Sequence, residues 1–442
     1  YKMSGLIVIL IFVIMLLLNV PIAISLGVAS VMYIFLFSTL PVDLIIQSFF
    51  SGVDSFTLLA VPFFILTGDI MLEGGISQRL IGFCSALMKR STGALSKITV
   101  FASAIFAAIS GSGPATVACI GGIMIPAMEK DNYDKTFACS IAAAAGALGP
   151  LIPPSIALIM YGVIAGVSIT DLFLAGIVPG ILLAIILIIF SHFVCKKYKY
   201  GTPDALINTS IQKKYEQPKQ MENVSLGKAF KDAIWAIMVP VIILGGIYAG
   251  IFTPTEAAII ASDYAIIISI FVYKELKFRD LPRVFAKTAL TSGTVLVLVA
   301  CATSFGRVLT MEQLPGKLAT FITGLSDNKI IILLLINVLL LIVGMLMETL
   351  AAIIILAPIF LPVVTALGVD PIHFGLIMVM NLVIGQCTPP VGVNTFVACQ
   401  IGNIKMESMF KWLYKCIAVM IVSLFICTYC EPLSLVFVHL FG

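Results

Sequence analysis

A backbone that crosses a bilayer has no water to pair with, so it stays helical or is covered by protein. This chain breaks that regularity twice inside strongly apolar surroundings. Ser110-Gly111-Ser112-Gly113-Pro114 interrupts one run, and Gly149-Pro150-Leu151-Ile152-Pro153-Pro154-Ser155 interrupts the next. Glycine loosens the backbone and proline removes a donor, so neither segment continues a helix. The pattern returns 236 residues later without a gap. Gly149, Pro153 and Pro154 match Gly385, Pro389 and Pro390, and Pro126 matches Pro362 at the same offset. The tips then coincide, Gly111-Ser112-Gly113 with Met347-Glu348-Thr349. Short Gly/Pro-interrupted segments repeated in two halves point to the binding region of a secondary transporter.

Composition puts these stretches in a membrane. Of 442 residues, 60% are hydrophobic and 11% charged, and the mean hydropathy is +1.14. A soluble fold of this size does not hide that much apolar surface, so the expected class is an all-α polytopic membrane protein. A net charge of +4 with no clustered basic face does not suggest nucleic acid. The cysteines fall mostly in apolar runs and read as small hydrophobes. Cys427-Thr-Tyr-Cys430 has redox or metal spacing, but no second pair accompanies it. Three scattered histidines (His192, His373, His439) without an HExxH pattern argue against an intramembrane enzyme. No P-loop is present, so an ion gradient is the expected energy source. A channel would more naturally show pore-lining rings.

Read in order, Leu6–Phe37 makes two short spans or one long kinked span around Asn19-Pro21, and Leu58–Leu72 makes the next. An amphipathic stretch, Ile76–Arg90, follows. Leu95–Ile109 and Ala115–Met128 form the first re-entrant hairpin; Thr136–Leu148 and Ser155–Val167 form the first broken helix. Leu172–Cys195 spans, and the polar segment 196–232, with eight lysines and four acids, separates the halves. Ala233–Phe252, Ala257–Tyr273 and Thr288–Leu309 are spans, and Leu314–Leu325 is a second amphipathic stretch. Each amphipathic stretch is either an interfacial arm bracing a moving domain or a plain surface helix. Lys329–Leu346 and Leu350–Leu367 form hairpin two, Phe374–Gly385 and Val391–Ile401 broken helix two, and Trp412–Tyr429 the last span.

Lysine and arginine concentrate in 196–231, 274–287 and 405–415, whereas the turns at Asp171, Glu256 and Asp370 carry acids. The positive-inside rule puts the first group in the cytoplasm. Hairpin one then enters from inside and hairpin two from outside, so the repeats are expected to be inverted. On that orientation the sequons at Asn208 and Asn223 lie inside and stay unglycosylated.

The chain resembles the large membrane subunit of tripartite ATP-independent periplasmic transporters. The resemblance rests on Val20-Pro-Ile-Ala-Ile, Pro62-Phe-Phe-Ile-Leu-Thr-Gly, Ser110-Gly-Ser-Gly-Pro-Ala-Thr, Gly149-Pro-Leu-Ile-Pro-Pro-Ser, Thr253-Pro-Thr-Glu-Ala-Ala and Thr388-Pro-Pro-Val-Gly, and covers nearly the whole length. It implies an elevator-type transporter with scaffold and transport domains, coupled to sodium. It also implies a small four-helix membrane subunit and a soluble periplasmic binding protein as partners, and an organic acid such as sialic acid or a C4-dicarboxylate as cargo. Some members carry the small subunit fused upstream, sialic acid transporters among them, and a chain starting at Tyr1 fits the large-subunit part of such a fusion. The division expected is 1–93 scaffold, 94–170 transport, 171–326 scaffold, 327–403 transport and 404–442 a C-terminal span. Asp263 departs from the small neutral residue expected there, and a carboxylate inside a span is a functional candidate. Arg307, on another span, reads as a snorkelling or interface residue.

Sodium prefers oxygen ligands, and a broken helix offers carbonyls to a cavity. At least two Na⁺ ions are expected. One site is Ser110 and Ser112 facing Gly149, Ile152 and Pro153. The other is Met347, Glu348 and Thr349 facing Gly385, Thr388 and Pro389. No Lys, Arg or His falls on either break, so an anion would be held by hydroxyls, amides, half-helix N-termini and the bound sodium. Ser110, Ser112, Thr116, Ser155, Asn394 and Thr395 are the candidate substrate contacts; the competing reading for each hydroxyl is interhelical hydrogen bonding. A stand-alone sodium–carboxylate symporter of similar architecture, needing no binding protein, is the alternative function.

Overall fold

The structure, a computed structural model, describes the chain except residues 1–3, 19, 38–40, 42, 89–90, 202–225, 315, 318–319, 321–323, 325–327 and 442. Asn19, both sequons, most of the polar segment and much of the second amphipathic stretch lie outside the described residues. Eight helical segments among the described residues are long and apolar enough to cross a membrane. The protein is an all-α polytopic membrane protein.

The N-terminal stretch resolves into two helices, α1 (Ser4–Leu17) and α2 (Ile22–Phe37), that pack against each other. Pro21 stands just before α2, where its missing N–H costs nothing. α3 (Asp43–Val53), α4 (Ala60–Glu73) and α5 (Ile76–Met88) follow. Hairpin one is α6 (Ala94–Ser110), then α7 (Gly113–Thr116), a π turn at Val117–Gly121, and α8 (Gly122–Lys130). Broken helix one is α9 (Lys135–Gly146) and α10 (Ile156–Ala165), and α11 (Ile169–Tyr198) is a full span.

In the second half, α12 (Leu226–Tyr248) and α13 (Pro254–Ile267) meet at a capping box, in which Thr253 accepts from Glu256 N and the Glu256 carboxylate from Thr253 N. α14 (Leu281–Met311) precedes hairpin two, α15 (Lys329–Leu346) and α16 (Thr349–Ala366). Broken helix two is α17 (Pro371–Gly385) and α18 (Val393–Gly402). α19 (Met406–Tyr429) and α20 (Glu431–Phe441) end the chain.

Polar residues fix where these apolar helices begin. Asp134 accepts from Thr136 N, Ser168 from Asp171 N, Asn328 from Ile330 N, and Asp370 from Ile372 N and His373 N. Each satisfies a donor that the first helical turn leaves open. The cysteines are free, with Cys430 exposed and the others buried or half-buried, as a packing role requires.

The two halves interlock. α9 packs on α18 and α19, and α10 packs on α16. Asn381 Nδ2 donates to Asn337 Oδ1 at 2.7 Å, and Asn337 Nδ2 donates to Thr428 Oγ1 at 3.2 Å, tying α17 to α15 and α19 through a buried polar chain. α4 packs on α13 and α14, making a wall beside the hairpins. The amphipathic α5 packs on α6 and α12, and Arg79 anchors it by pairing with Glu275 at 2.7 Å and stacking 3.9 Å over Tyr273.

Candidate transport site

Hairpin one turns through Gly111, whose left-handed φ of +57° ends α6. Thr116 closes the tip: its hydroxyl donates to Ser112 O at 2.7 Å and meets Ser110 Oγ at 3.0 Å. The tip lies directly on break one. A Cβ on Gly149 would stand 2.4 Å from Ser112 O, 2.6 Å from Ser112 C and 2.8 Å from Gly113 N. Main chain therefore packs on main chain, and glycine at 149 is what permits it.

Break two makes the corresponding contact. A Cβ on Gly385 would stand 2.5 Å from Gly344 C and 2.9 Å from Met345 N. The contact falls at the end of α15, ahead of Met347, Glu348 and Thr349. Where Gly111 takes a left-handed φ at tip one, Met347 at tip two is extended (φ −138°, ψ 164°). Tip one also reaches break two: a Cβ on Gly113 would stand 2.8 Å from Asn394 Oδ1 and 3.1 Å from Gln386 Oε1.

Both tips face one cavity of about 510 Å³. Its walls are Ser110 to Ala115 from tip one, Glu348, Thr349 and Leu350 from tip two, Gln386 from break two, and Pro150, Ile156 and Ala157 from the first broken helix. Facing them are Ile65, Gly68, Asp69 and Leu72 of α4 and Leu290, Thr291, Thr294 and Val295 of α14.

Of the residues singled out in the sequence, Ser110, Ser112, Glu348 and Thr349 line this cavity. Thr116, Gly149, Ile152, Pro153, Ser155, Met347, Gly385, Thr388, Pro389, Asn394 and Thr395 are not among its lining residues. Several of their hydroxyls hold the breaks in shape. Ser155 Oγ donates to Pro150 O and accepts from Leu158 N, capping α10. Thr388 Oγ1 donates to Ile384 O and Thr395 Oγ1 to Cys387 O, each at 2.8 Å. Glu348 is exposed to the cavity; its Oε2 accepts from Leu350 N at 3.2 Å, capping α16. The oxygens offered at tips and breaks (carbonyl, hydroxyl and one carboxylate) are a set that suits a hard cation such as Na⁺.

Sequence reasoning missed the far wall and Gln386. Gln386 carried a signal, as a polar residue beside a break glycine. Asp69 carried one too, as a carboxylate in an apolar span directly after the quoted Pro62–Gly68 motif. Thr291 and Thr294 carried none. Asp69 is 8% exposed and is held by Lys287 Nζ at 2.6 Å and Thr288 Oγ1 at 2.9 Å, while Glu73, one turn on, pairs with Arg283 at 2.5 Å. Removing Lys287 strands the charge of the largely buried Asp69. Because Lys287 is half-exposed, Lys287→Ala should destabilise the protein by about 1–3 kcal/mol, read as a lower melting temperature in detergent. An unchanged melting temperature would show that the pair is a surface ornament.

The family model described as "Tripartite ATP-independent periplasmic transporter, DctM component" matches residues 9–433. The chain belongs to this family. Among its relatives, the isethionate TRAP transporter permease protein DctMQ of Oleidesulfovibrio alaskensis is 46% identical over 96% of this chain, which spans 65% of that relative's length. The C4-dicarboxylate large permease DctM of Rhodobacter capsulatus is 36% identical over the full length of both. The sialic acid large permease SiaM of Vibrio cholerae is 38% identical over 89% of this chain and 88% of its own. These relatives are named as transporter permeases and none as an enzyme. Among solved structures, the YdaH transporter of Alcanivorax borkumensis superposes with a TM-score of 0.64 at 15% identity, covering 98% of each chain, and shows the fold alone. A DctM-family chain with eight apolar spans among its described residues is a multi-pass protein of the bacterial inner membrane.

Proposed function

We propose that this DctM-family chain takes up a small organic anion by sodium-coupled, elevator-type alternating access. A soluble periplasmic binding protein delivers the cargo, and a small membrane subunit works beside the chain. The observation that carries the reading is the single cavity between both hairpin tips and the α4–α14 wall. A site at such a boundary changes the side it opens to when one body slides past the other. Residues 94–170 and 327–403 are the moving body, related as inverted repeats; 1–93 and 171–326 are the scaffold, and 404–442 is the terminal span. Na⁺ occupies one position between tip one and break one and a second between hairpin two and break two. The close approach of Ser112 O to Gly149 supports the first position, and Glu348 and Thr349 beside Gln386 in the cavity wall support the second.

The names of the relatives, isethionate, C4-dicarboxylate and sialic acid, have an organic acid anion in common. Among the described residues such an anion meets no lysine, arginine or histidine in the cavity lining, so sodium supplies the positive charge that holds it. Uptake of labelled organic acids into proteoliposomes, with sodium and binding protein each added or omitted, tests the reading. Uptake that needs both is expected. Flux without an ion gradient overturns the coupled mechanism, and uptake that needs sodium alone gives the stand-alone symporter.

A further inference from the structure

The carboxylate of Asp263 stands at the middle of a membrane span. The span runs from Pro254 to Val272, and Asp263 is equidistant from its ends. α13 turns Ala257, Ala258, Ala261, Ser262 and Ala265 into the protein, where α4 and α12 pack on it. Asp263 lies on the opposite face, exposed together with Ile267 and Phe271, which follow it at steps of four residues. Among the described residues no hydrogen bond or ion pair reaches the carboxylate. A bare carboxylate facing hydrocarbon at mid-depth is costly, and intramembrane acids pair or line water. Here the flanking Ile260, Ile267 and Phe271 make the face too apolar for a water path.

We infer that Asp263 anchors a docking face for a transmembrane helix of the small membrane subunit, and that this helix presents a lysine or arginine at mid-bilayer. The inference rests on the tripartite reading above. Charge complementarity selects the occupant. Among the described residues a second copy of this chain has no exposed cation at mid-span to offer: Lys97 is buried, Lys287 is held by Asp69, Lys415 lies 4.4 Å over the Trp412 ring, and Arg307 sits near the end of α14. The isethionate relative, of which this chain spans 65%, has further chain from which a partner helix could come.

Co-expression with the small membrane subunit encoded alongside, followed by purification through a tag on this chain, tests the inference. Asp263→Leu is the decisive variant, because it suits a lipid-facing position and does not threaten folding. Co-purification of the small subunit is expected to fall at least tenfold with Asp263→Leu and less with Asp263→Asn. Replacing the facing lysine or arginine by leucine in the same cells should restore it. If Asp263→Leu co-purifies like the parent, Asp263 faces lipid and the inference falls while the tripartite reading stands. If the unaltered chain does not co-purify with the small subunit, both fall.

Discussion

Gly149→Ala should stop transport while leaving a protein that still inserts and purifies. The added Cβ meets Ser112 O at 2.4 Å, Ser112 C at 2.6 Å and Gly113 N at 2.8 Å, and all three are main-chain atoms. No side chain can rotate away, so tip one must lift off break one as a unit. Forced overpacking costs about 1–3 kcal/mol, and on the proposed mechanism it also displaces the sodium ligands, so uptake should fall by roughly a hundredfold or more. Gly385→Ala should do the same through Gly344 C at 2.5 Å. Gly113→Ala is the internal contrast. Its Cβ meets Asn394 Oδ1 and Gln386 Oε1, the ends of side chains that can swing aside. Uptake rates for the three variants, at equal protein in the membrane, provide the check. Equal damage at 113 and 149 would mean that backbone contact is not what the transport site depends on.

Glu348→Gln should weaken sodium dependence more than it weakens folding. Glutamine can still accept from Leu350 N, so the cap on α16 is largely kept. The charge is lost. Glu348 opens onto the cavity without an ion pair among the described residues, whereas the other cavity carboxylate, Asp69, is held by Lys287. On the proposed mechanism, a carboxylate without an ion pair in the anion's cavity repels the cargo until sodium sits between them. Loss of that pairing should raise the sodium concentration for half-maximal uptake about tenfold, the equivalent of about 1.4 kcal/mol. An unchanged sodium titration would remove Glu348 from the coupling mechanism.

The large features were legible because membrane depth makes irregularity expensive. Gly149, Pro153 and their counterparts at Gly385 and Pro389 stood out against apolar runs, and the structure breaks its helices at those places. Hairpin two was placed almost to the residue, since α15 and α16 are uniformly apolar and stop at the polar Glu348-Thr349. The far wall was not legible. Thr291 and Thr294 on α14 look like any helical threonines until folding sets them opposite the tips. Ser155 shows the converse difficulty. A hydroxyl beside a break is needed to start the next half-helix, and sequence cannot separate that task from contact with cargo. The acids at Asp171, Glu256 and Asp370 carried orientation evidence in the sequence. In the structure they belong to helix starts, Asp370 as a cap, Glu256 as half of a capping box, and Asp171 through its backbone N–H. Local capping accounts for the type of Asp370 and Glu256 whichever side they face, but not for that of Asp171.

The joint between tip and break is built from atoms that every amino acid shares. Its glycines are constrained by close contact, and the Thr116, Ser155, Thr388 and Thr395 hydroxyls by the hydrogen bonds that shape tip and breaks; residues that only line the cavity are freer to change. Ser112, Glu348, Thr349 and Gln386 project from that joint into the cavity. Exchanging wall residues one at a time would therefore alter the cavity while leaving that joint untouched. A family whose members bear the names isethionate, C4-dicarboxylate and sialic acid is what such a division of labour would yield.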